Sequence, residues 1–109
     1  MEYHPNRWLM VRLTTNSKSH YRIFATWSGG YLDGDSWKLN SGVVQVTETE
    51  DKYSFHGFSG SLYVCRKNSY GSSGYGIGVL DDLIKRSLKQ GTVIEILPEE
   101  TDFMSLDYE

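Results

Sequence analysis

The side chains best suited to acid–base, nucleophilic or metal chemistry in this chain are three histidines and one cysteine. His56 and Cys65 are the obvious candidates for a thiol–imidazole pair. In a hairpin that turns near Ser59, however, the residue opposite His56 lies about four residues before Cys65 on the next strand. At ~3.4 Å per residue, this places the two side chains roughly 13 Å apart, beyond hydrogen-bond reach. His4 and His20 show no ligand spacing with His56 or Cys65 either. We therefore expect Cys65 to be a small core residue, and we predict no catalytic centre, no metal site and no cofactor.

A segment rich in glycine, serine and tyrosine, residues 68–78, is the next candidate for chemistry. Its glycines at 71, 74, 76 and 78 match neither the dinucleotide fingerprint nor the phosphate-binding loop. We interpret the segment as a recognition loop, because tyrosine and serine make adaptable contacts. A small-ligand or nucleotide sponge whose loop closes over its ligand is an alternative function that this segment leaves open. The candidate ligand residues are Tyr70, Ser72, Ser73 and Tyr75.

Two alternating segments, residues 7–14 and 20–27, predict a hairpin with a polar turn at 15–19. Burying the aliphatic residues of both segments pairs Arg12 directly with Arg22. Like charges opposite each other destabilise a sheet, so an anion above this pair would explain it. Two alternatives stay open for this face. It is a stacking platform for single-stranded nucleic acid, or another element covers it and the arginine side chains extend to the edge of the face. The predicted partner-binding face consists of Trp8, Arg12, His20, Arg22 and Phe24.

The acidic residues of the chain are concentrated at its C-terminal end. The net charge is −3, yet residues 98–109 hold five acids and no base, which leaves eleven bases against nine acids in residues 1–97. That body is too weakly basic to indicate a duplex-DNA binder. We divide the chain into a domain, 1–97, and an acidic tail, 98–109, which either docks on a basic partner or frays in solvent. The candidate contacts in the tail are Glu99, Glu100, Asp102 and Phe103.

The elements that position these residues predict one α+β domain. Residues 79–90 carry apolar side chains at helical spacing, and their charges run from acidic to basic along the segment. Strand patterns recur between turn residues over 31–38, 43–49, 52–58, 61–67 and 92–97. We expect a curved antiparallel β-meander of about five to seven strands with the helix packed on it. A free edge at 92–97 leaves homodimerisation open.

Composition and length exclude several classes of protein. No apolar stretch approaches the ~18 residues of a membrane span, and the first residues carry no apolar signal core. A single cysteine excludes an internal disulfide framework and suits a reducing compartment. We therefore expect a cytoplasmic protein that has no contact with membranes.

Three segments carry a resemblance to known proteins: DSWKLNSG at 35–42, SGSLYVC at 59–65, and Tyr70-Gly71. With them the chain resembles small proteins encoded by tailed phages and other mobile elements, of the kind that inhibit host defence, including anti-CRISPR proteins. The resemblance implies a compact binder that occupies a functional surface of a larger enzyme. It assigns no role to any individual residue.

The leading hypothesis is a non-catalytic binding protein, a phage-type inhibitor of a host nucleic-acid enzyme or defence complex. Three tryptophans and eight tyrosines exceed what one core of this size needs, and such residues are favoured at interfaces. The expected partner is a larger protein, with direct nucleic-acid binding as the less favoured reading. A small acid–base ribonuclease that uses His20, Arg22 and His56 is the enzymatic alternative.

Overall fold

A computed structural model describes residues 1–29 and 34–108 of the chain, and it confirms the α+β class. Within those residues there are eight strands and one α-helix. The start of the predicted strand over 31–38 lies outside the described residues, and this segment is described only from residue 34 onward. The strands are β1 (Glu2–Tyr3), β2 (Arg7–Thr15), β3 (Lys18–Ser28), β4 (Asp35–Leu39), β5 (Val43–Glu48), β6 (Lys52–Gly57), β7 (Leu62–Arg66) and β8 (Thr92–Ile96), and the helix is α1 (Gly74–Lys89).

The strands form two sheets rather than one continuous meander. The first sheet has the order β1-β7-β6-β5, and the second has the order β4-β3-β2-β8. Neighbouring strands pair antiparallel except β1 and β7, which are parallel. The chain therefore passes from the second sheet to the first in the short connection between β4 and β5, residues 40–42.

The hairpin of β2 and β3 turns in two residues, and this sets its register. Asn16 and Ser17 have φ values of +52° and +67°, the conformation that lets a two-residue turn follow the twist of the strands. Thr15 therefore pairs with Lys18, and every partner differs by one residue from the register predicted by burying the aliphatic residues of both segments on one face. Arg12 lies opposite Tyr21, so the predicted Arg12–Arg22 pair is wrong.

This register buries both faces of the central strands. Trp8, Met10 and Ile23 lie on the face that packs against the first sheet. Leu9 and Phe24 lie on the opposite face, which packs against α1. A one-residue shift in register exchanges the two faces of a strand. Because the first sheet covers one face of the second sheet and the helix covers the other, the molecule has three layers: first sheet, second sheet and helix.

The centre of the core is Trp8, which is 1% exposed. Its ring lies 5.4 Å from that of Phe55 and 5.3 Å from that of Phe103, and its Nε1 donates a hydrogen bond of 2.8 Å to the carbonyl of Arg66. Phe103 comes from the acidic segment and is itself 2% exposed. Tyr108 donates a hydrogen bond from its hydroxyl to the carbonyl of Phe103. The end of the chain is thus packed onto the domain.

The helix begins five residues before the predicted start at 79. Ser73 caps it, because its Oγ accepts a hydrogen bond of 3.2 Å from the amide of Gly76. Glycine is needed at position 76, where a Cβ would lie 2.9 Å from Cγ2 of Thr26 on β3. Leu80 fills the interface with the second sheet, and Gly91, with φ +86°, follows the helix end. No helix in the described ranges has the length and apolar character needed to cross a membrane.

Candidate functional site

A cavity of about 300 Å³ opens where the chain passes from the second sheet to the first. We call it the crossover pocket. Its wall combines the connection after β4, the turn between β6 and β7, and side chains of β1, β3, β4 and β7. Polar residues dominate the wall, which consists of Tyr3, Arg22, Lys38, Leu39, Asn40, Ser41, Ser59, Ser61 and Tyr63.

Asn40 is the most informative residue of the crossover pocket. It is 3% exposed, and its Oδ1 accepts a hydrogen bond of 2.8 Å from the amide of Ile23. That bond fixes the orientation of the side-chain amide, because a nitrogen in the place of Oδ1 could not accept it. Nδ2 of Asn40 is left as a buried donor with no hydrogen-bond partner among the described residues. Leaving such a donor unsatisfied costs about 1–3 kcal/mol, which an acceptor entering the pocket would recover.

Two serine hydroxyls are linked across the connection and the turn. The amide of Ser59 donates a hydrogen bond of 2.9 Å to Oγ of Ser41, and Ser41 in turn donates from Oγ to Oγ of Ser59 over 3.0 Å. This chain of bonds uses the hydroxyl proton of Ser41 and leaves that of Ser59 as its terminal donor. Each bond polarises the next, so the terminal hydroxyl is a better donor than an isolated serine.

The β6–β7 turn is held in place by backbone bonds and by a glycine. The amide of Gly57 donates to the carbonyl of Ser61 over 2.8 Å, and the amide of Phe58 donates to the carbonyl of Gly42 over 2.7 Å. A Cβ on Gly57 would lie only 2.9 Å from Oγ of Ser61 and 3.4 Å from Oγ of Ser41. The absence of a side chain at position 57 therefore makes room for the hydroxyls of the pocket.

Arg22 supplies one of two cations to the pocket and is oriented by His20. Its Nε donates a hydrogen bond of 3.0 Å to Nε2 of His20, which requires a neutral imidazole protonated at Nδ1. Burial, and after it the charge of Arg22, lowers the pKa of His20. The histidine thus stays neutral and holds the guanidinium through one edge, leaving the terminal nitrogens for another partner.

Lys38 supplies the second cation, and two tyrosines form the floor beside it. Its Nζ lies 5.4 Å from the ring centroid of Tyr3, close enough for a cation–π interaction. Tyr3 packs in turn on Tyr63, with ring centroids 4.9 Å apart. Burial, with smaller contributions from Tyr3 and Cys65, raises the pKa of Tyr63, so its hydroxyl keeps its proton.

The donors of the crossover pocket suit a negatively charged oxygen group. Two cations, three serines and Asn40 with its unpartnered amide line one cavity, and no acidic residue is found among the described residues that line it. Hydrogen bonds from charged donors to carboxylate or phosphate oxygens are about twice as strong as neutral ones. The arrangement can hold an oxyanion.

Three residues of the predicted partner-binding face do not form a surface with the rest. Trp8 is 1% and Phe24 0% exposed, and they lie on opposite faces of the second sheet, so neither is available to a partner. Arg12 forms an ion pair with Glu95 of β8 at 3.1 Å. The one-residue shift of register puts Trp8 and Phe24 on opposite faces, the first sheet and the helix bury them, and β8 places Glu95 beside Arg12. His20 and Arg22 are the two members that the structure brings together, at the crossover pocket.

The predicted contacts of the acidic tail are divided. Phe103 belongs to the core and is therefore not a partner contact. Asp102 caps its own turn, since its carboxylate accepts from the amide of Met104 at 3.2 Å and from Oγ of Ser105 at 2.7 Å. Glu99 and Glu100 are exposed.

The predicted recognition loop is largely the start of the helix. Ser73 is the helix cap, and Ser72 donates from Oγ to the carbonyl of Ser73 over 3.2 Å. Tyr70 donates to the carbonyl of Leu97 and accepts from the amide of Met10, and burial raises its pKa to about 12. Only Tyr75, at 41% exposure, presents its side chain to solvent as predicted. Within the described part of the chain, none of these four residues lines the crossover pocket or the other two cavities beside the first sheet.

The thiol of Cys65 lies in the core, as predicted. Burial strongly raises its pKa, so it remains protonated. Cys65 pairs with Tyr53 across the hairpin and His56 pairs with Leu62, three residues earlier in β7. The two side chains are on opposite faces of the first sheet, because an odd number of residues separates their positions.

Sequence reasoning missed the serines and Asn40, which it took for turn residues. Their type was visible in the motifs Asn40-Ser41-Gly42 and Ser59-Gly60-Ser61, but only the exchange of sheets brings the two turns together. Comparisons with protein-family models, with curated protein sequences and with solved structures each returned no match.

Proposed function

We propose that this chain is a non-catalytic binding protein that recognises an oxyanion, a phosphate or carboxylate group of its partner, in the crossover pocket. The observation that supports this proposal most directly is the buried Nδ2 of Asn40, which lacks an acceptor. Arg22 and Lys38 add the charge that a negatively charged acceptor requires. Bound there, the oxyanion would satisfy the amide and neutralise the two cations at once.

The proposal extends to the kind of partner. An oxyanion is carried by the acidic side chains of proteins and by phosphorylated ligands, so a larger protein partner is the occupant we favour. The narrower role, inhibition of a host nucleic-acid enzyme or defence complex, stays a prediction. A cytoplasmic location belongs to the same proposal and is supported by the free, buried thiol of Cys65.

The test is an Asn40→Asp substitution, followed by calorimetric titration with inorganic phosphate and with acetate. An aspartate keeps the oxygen that accepts from the amide of Ile23 but replaces the free donor with a carboxylate, and circular dichroism of each variant checks that the fold survives burial of this group. Hydrogen bonds to charged groups contribute about 1.5–3 kcal/mol, so we expect affinity to fall by about tenfold or more. Asn16→Asp, in the exposed turn, changes the net charge equally and should bind as the wild type does.

A second pair of variants tests the hydroxyls. Gly57→Ala places a methyl group against Oγ of Ser61 and should weaken phosphate binding severalfold, whereas Gly74→Ala adds the same group where no atom lies within 4 Å. If Asn40→Asp and Gly57→Ala both bind phosphate and acetate as tightly as their controls, the crossover pocket is not the binding site.

Adenosine monophosphate as a third probe separates the small-ligand alternative from recognition of a protein partner. Affinity equal to that of inorganic phosphate limits recognition to the oxyanion and supports the proposal as stated. Binding that is at least tenfold tighter than that of phosphate indicates that the base and sugar are also recognised, and then the sponge alternative replaces the protein partner.

A further inference from the structure

A second cavity of about 300 Å³ lies beside the first sheet and plays no part in the proposed function. It is bounded by the segment after β1 and by residues of β6 and β7 whose side chains point away from the core. We call it the outer-sheet cavity. Its lining consists of His4, Pro5, Asn6, Lys52, Val64 and Arg66.

Two cations lie side by side on neighbouring strands at this cavity. Lys52 of β6 and Arg66 of β7 are Cα partners in the antiparallel register, so their side chains project from the same face. Like charges in that position repel and destabilise a sheet. The repulsion that the hairpin sequence predicted for Arg12 and Arg22 thus occurs here, in a different hairpin.

Four cations outside the two cavities are neutralised by carboxylates. Arg12, Lys67, Lys85 and Arg86 each form an ion pair with a carboxylate. Among the described residues, neither Lys52 nor Arg66 has one, and the same is true of the two cations in the crossover pocket. The cations without a carboxylate partner therefore include every Lys and Arg that lines the two larger cavities.

The carboxylates next to the outer-sheet cavity already have partners. Glu2 accepts from His4 over 2.6 Å, and Asp51 accepts from Oγ of Thr49 over 3.3 Å. Asp51 also borders a smaller neighbouring cavity, together with Arg66, Lys67 and Asn68. Neither carboxylate is placed as an ion-pair partner of Lys52 or Arg66.

The surroundings of the two cations are held in place and offer a third donor. The carbonyl of Arg66 accepts the indole hydrogen bond of Trp8, which ties its backbone to the core. Oδ1 of Asn6 accepts from the amide of Ser28 over 2.7 Å, so the amide nitrogen of Asn6 remains to donate. Pro5 and Val64 give the cavity an apolar side.

We infer that the outer-sheet cavity is a second anion site, which binds a tetrahedral oxyanion of the phosphate or sulfate class between Lys52 and Arg66. Two opposed cations are matched by a group that carries up to two negative charges and several acceptor oxygens, which a phosphate monoester or a sulfate provides and a single carboxylate does not. The inference does not depend on the crossover pocket, since the two cavities share no lining residue.

The experiment is thermal unfolding in low-salt buffer, with sodium sulfate compared with sodium chloride at equal ionic strength. The variants are Lys52→Gln and Arg66→Gln, and the control is Lys89→Gln, an exposed lysine without an ion pair at the end of α1. Each is measured also with Asn40→Asp, which replaces the free donor of the crossover pocket with a carboxylate. Without sulfate, the two cavity variants should unfold at the same temperature as the control or higher, because they relieve repulsion.

With sulfate, the wild type and the control should gain stability over chloride. Each cavity variant should lose part of that gain when the crossover pocket is intact, and should lose most of what remains when Asn40→Asp is also present. Backbone amide signals of Val64 and Arg66 in the wild type should shift and saturate with sulfate. Equal sulfate gains in the cavity variants and the control, or unmoved signals at Val64 and Arg66, would overturn the inference. If Asn40→Asp abolishes the sulfate gain and neither cavity variant changes it, all anion binding belongs to the crossover pocket, and the inference is overturned as well.

Discussion

Arg12 and Arg22 lie on the two strands of one hairpin, and the fold handles their charges in opposite ways. Arg12 is bound by Glu95, whose hydrogen bonds and charge raise the pKa of the guanidinium, and it sits at the β2–β8 edge. Arg22 is oriented by a neutral histidine and reaches a cavity without an acidic wall. Arg12 is matched by a carboxylate, whereas Arg22 has no carboxylate partner among the described residues.

The comparison shows that a cation is informative only together with its surroundings. Exposed ion pairs such as Arg12–Glu95 contribute about 0–1 kcal/mol and mainly keep the surface balanced. An unpaired cation beside a buried, unsatisfied amide indicates an anion-binding site, because an anionic oxygen neutralises the cation and accepts the hydrogen bond of the amide. The same two arginines looked alike in the sequence because both alternate with apolar residues.

The largest expected effect tests the register that separates the two arginines. Trp8→Ala should lower the free energy of unfolding by about 3–5 kcal/mol in a urea titration, because the indole is at the centre of the core. Trp37→Ala is the matched control, since Trp37 is 37% exposed and stacks on Phe24. Its cost should be about 1 kcal/mol. Equal costs for the two tryptophans would contradict the register and with it the separation of Arg12 from Arg22.

A smaller effect is expected from neutralising each arginine. Arg22→Gln should reduce the affinity for inorganic phosphate about tenfold, because a charged hydrogen bond to the ligand is lost. Arg12→Gln removes the same charge but only opens the pair with Glu95, and it should leave the affinity within a factor of about two, given salt screening of exposed charges. Equal losses in calorimetric titrations would mean that net charge alone attracts the anion.

The smallest effect is a pH dependence at His20. Its pKa is lowered from the ordinary value of 6.5, so the unfolded chain takes up a proton before the folded protein does. Stability from this group is complete above about pH 6.5 and is lost as the pH falls through the lowered pKa. His20→Gln should remove this part of the loss on acidification. Phosphate should raise the pKa of His20 in proton NMR titrations by offsetting Arg22, and an unchanged pKa would place the anion elsewhere.

Much of the fold could be predicted from local patterns. The β6–β7 hairpin, the last strand and the α+β class follow from alternation and turn residues, and the ion pairs Asp81–Lys85 and Asp82–Arg86 follow from helical spacing. The helix start could not, because glycines at 74, 76 and 78 lower helix propensity and the requirement for Gly76 comes from packing against Thr26.

The site could be predicted only in part. His20 and Arg22 were selected for their chemistry, but the reasoning placed them on the wrong surface because the turn at Asn16 and Ser17 is shorter than its polar neighbours indicate. Asn40 and the serines could not be recognised, since the change of sheet after β4 is a long-range property. A turn residue and a donor in a pocket look the same in one sequence.

The most direct test of the central claim follows the side-chain amide of Asn40 in nitrogen–proton NMR spectra while inorganic phosphate is added. If the crossover pocket holds an oxyanion, the two amide protons of Asn40 should shift progressively and saturate together with the calorimetric binding curve. An Asn40 amide that stays in place while phosphate binds elsewhere would contradict the account.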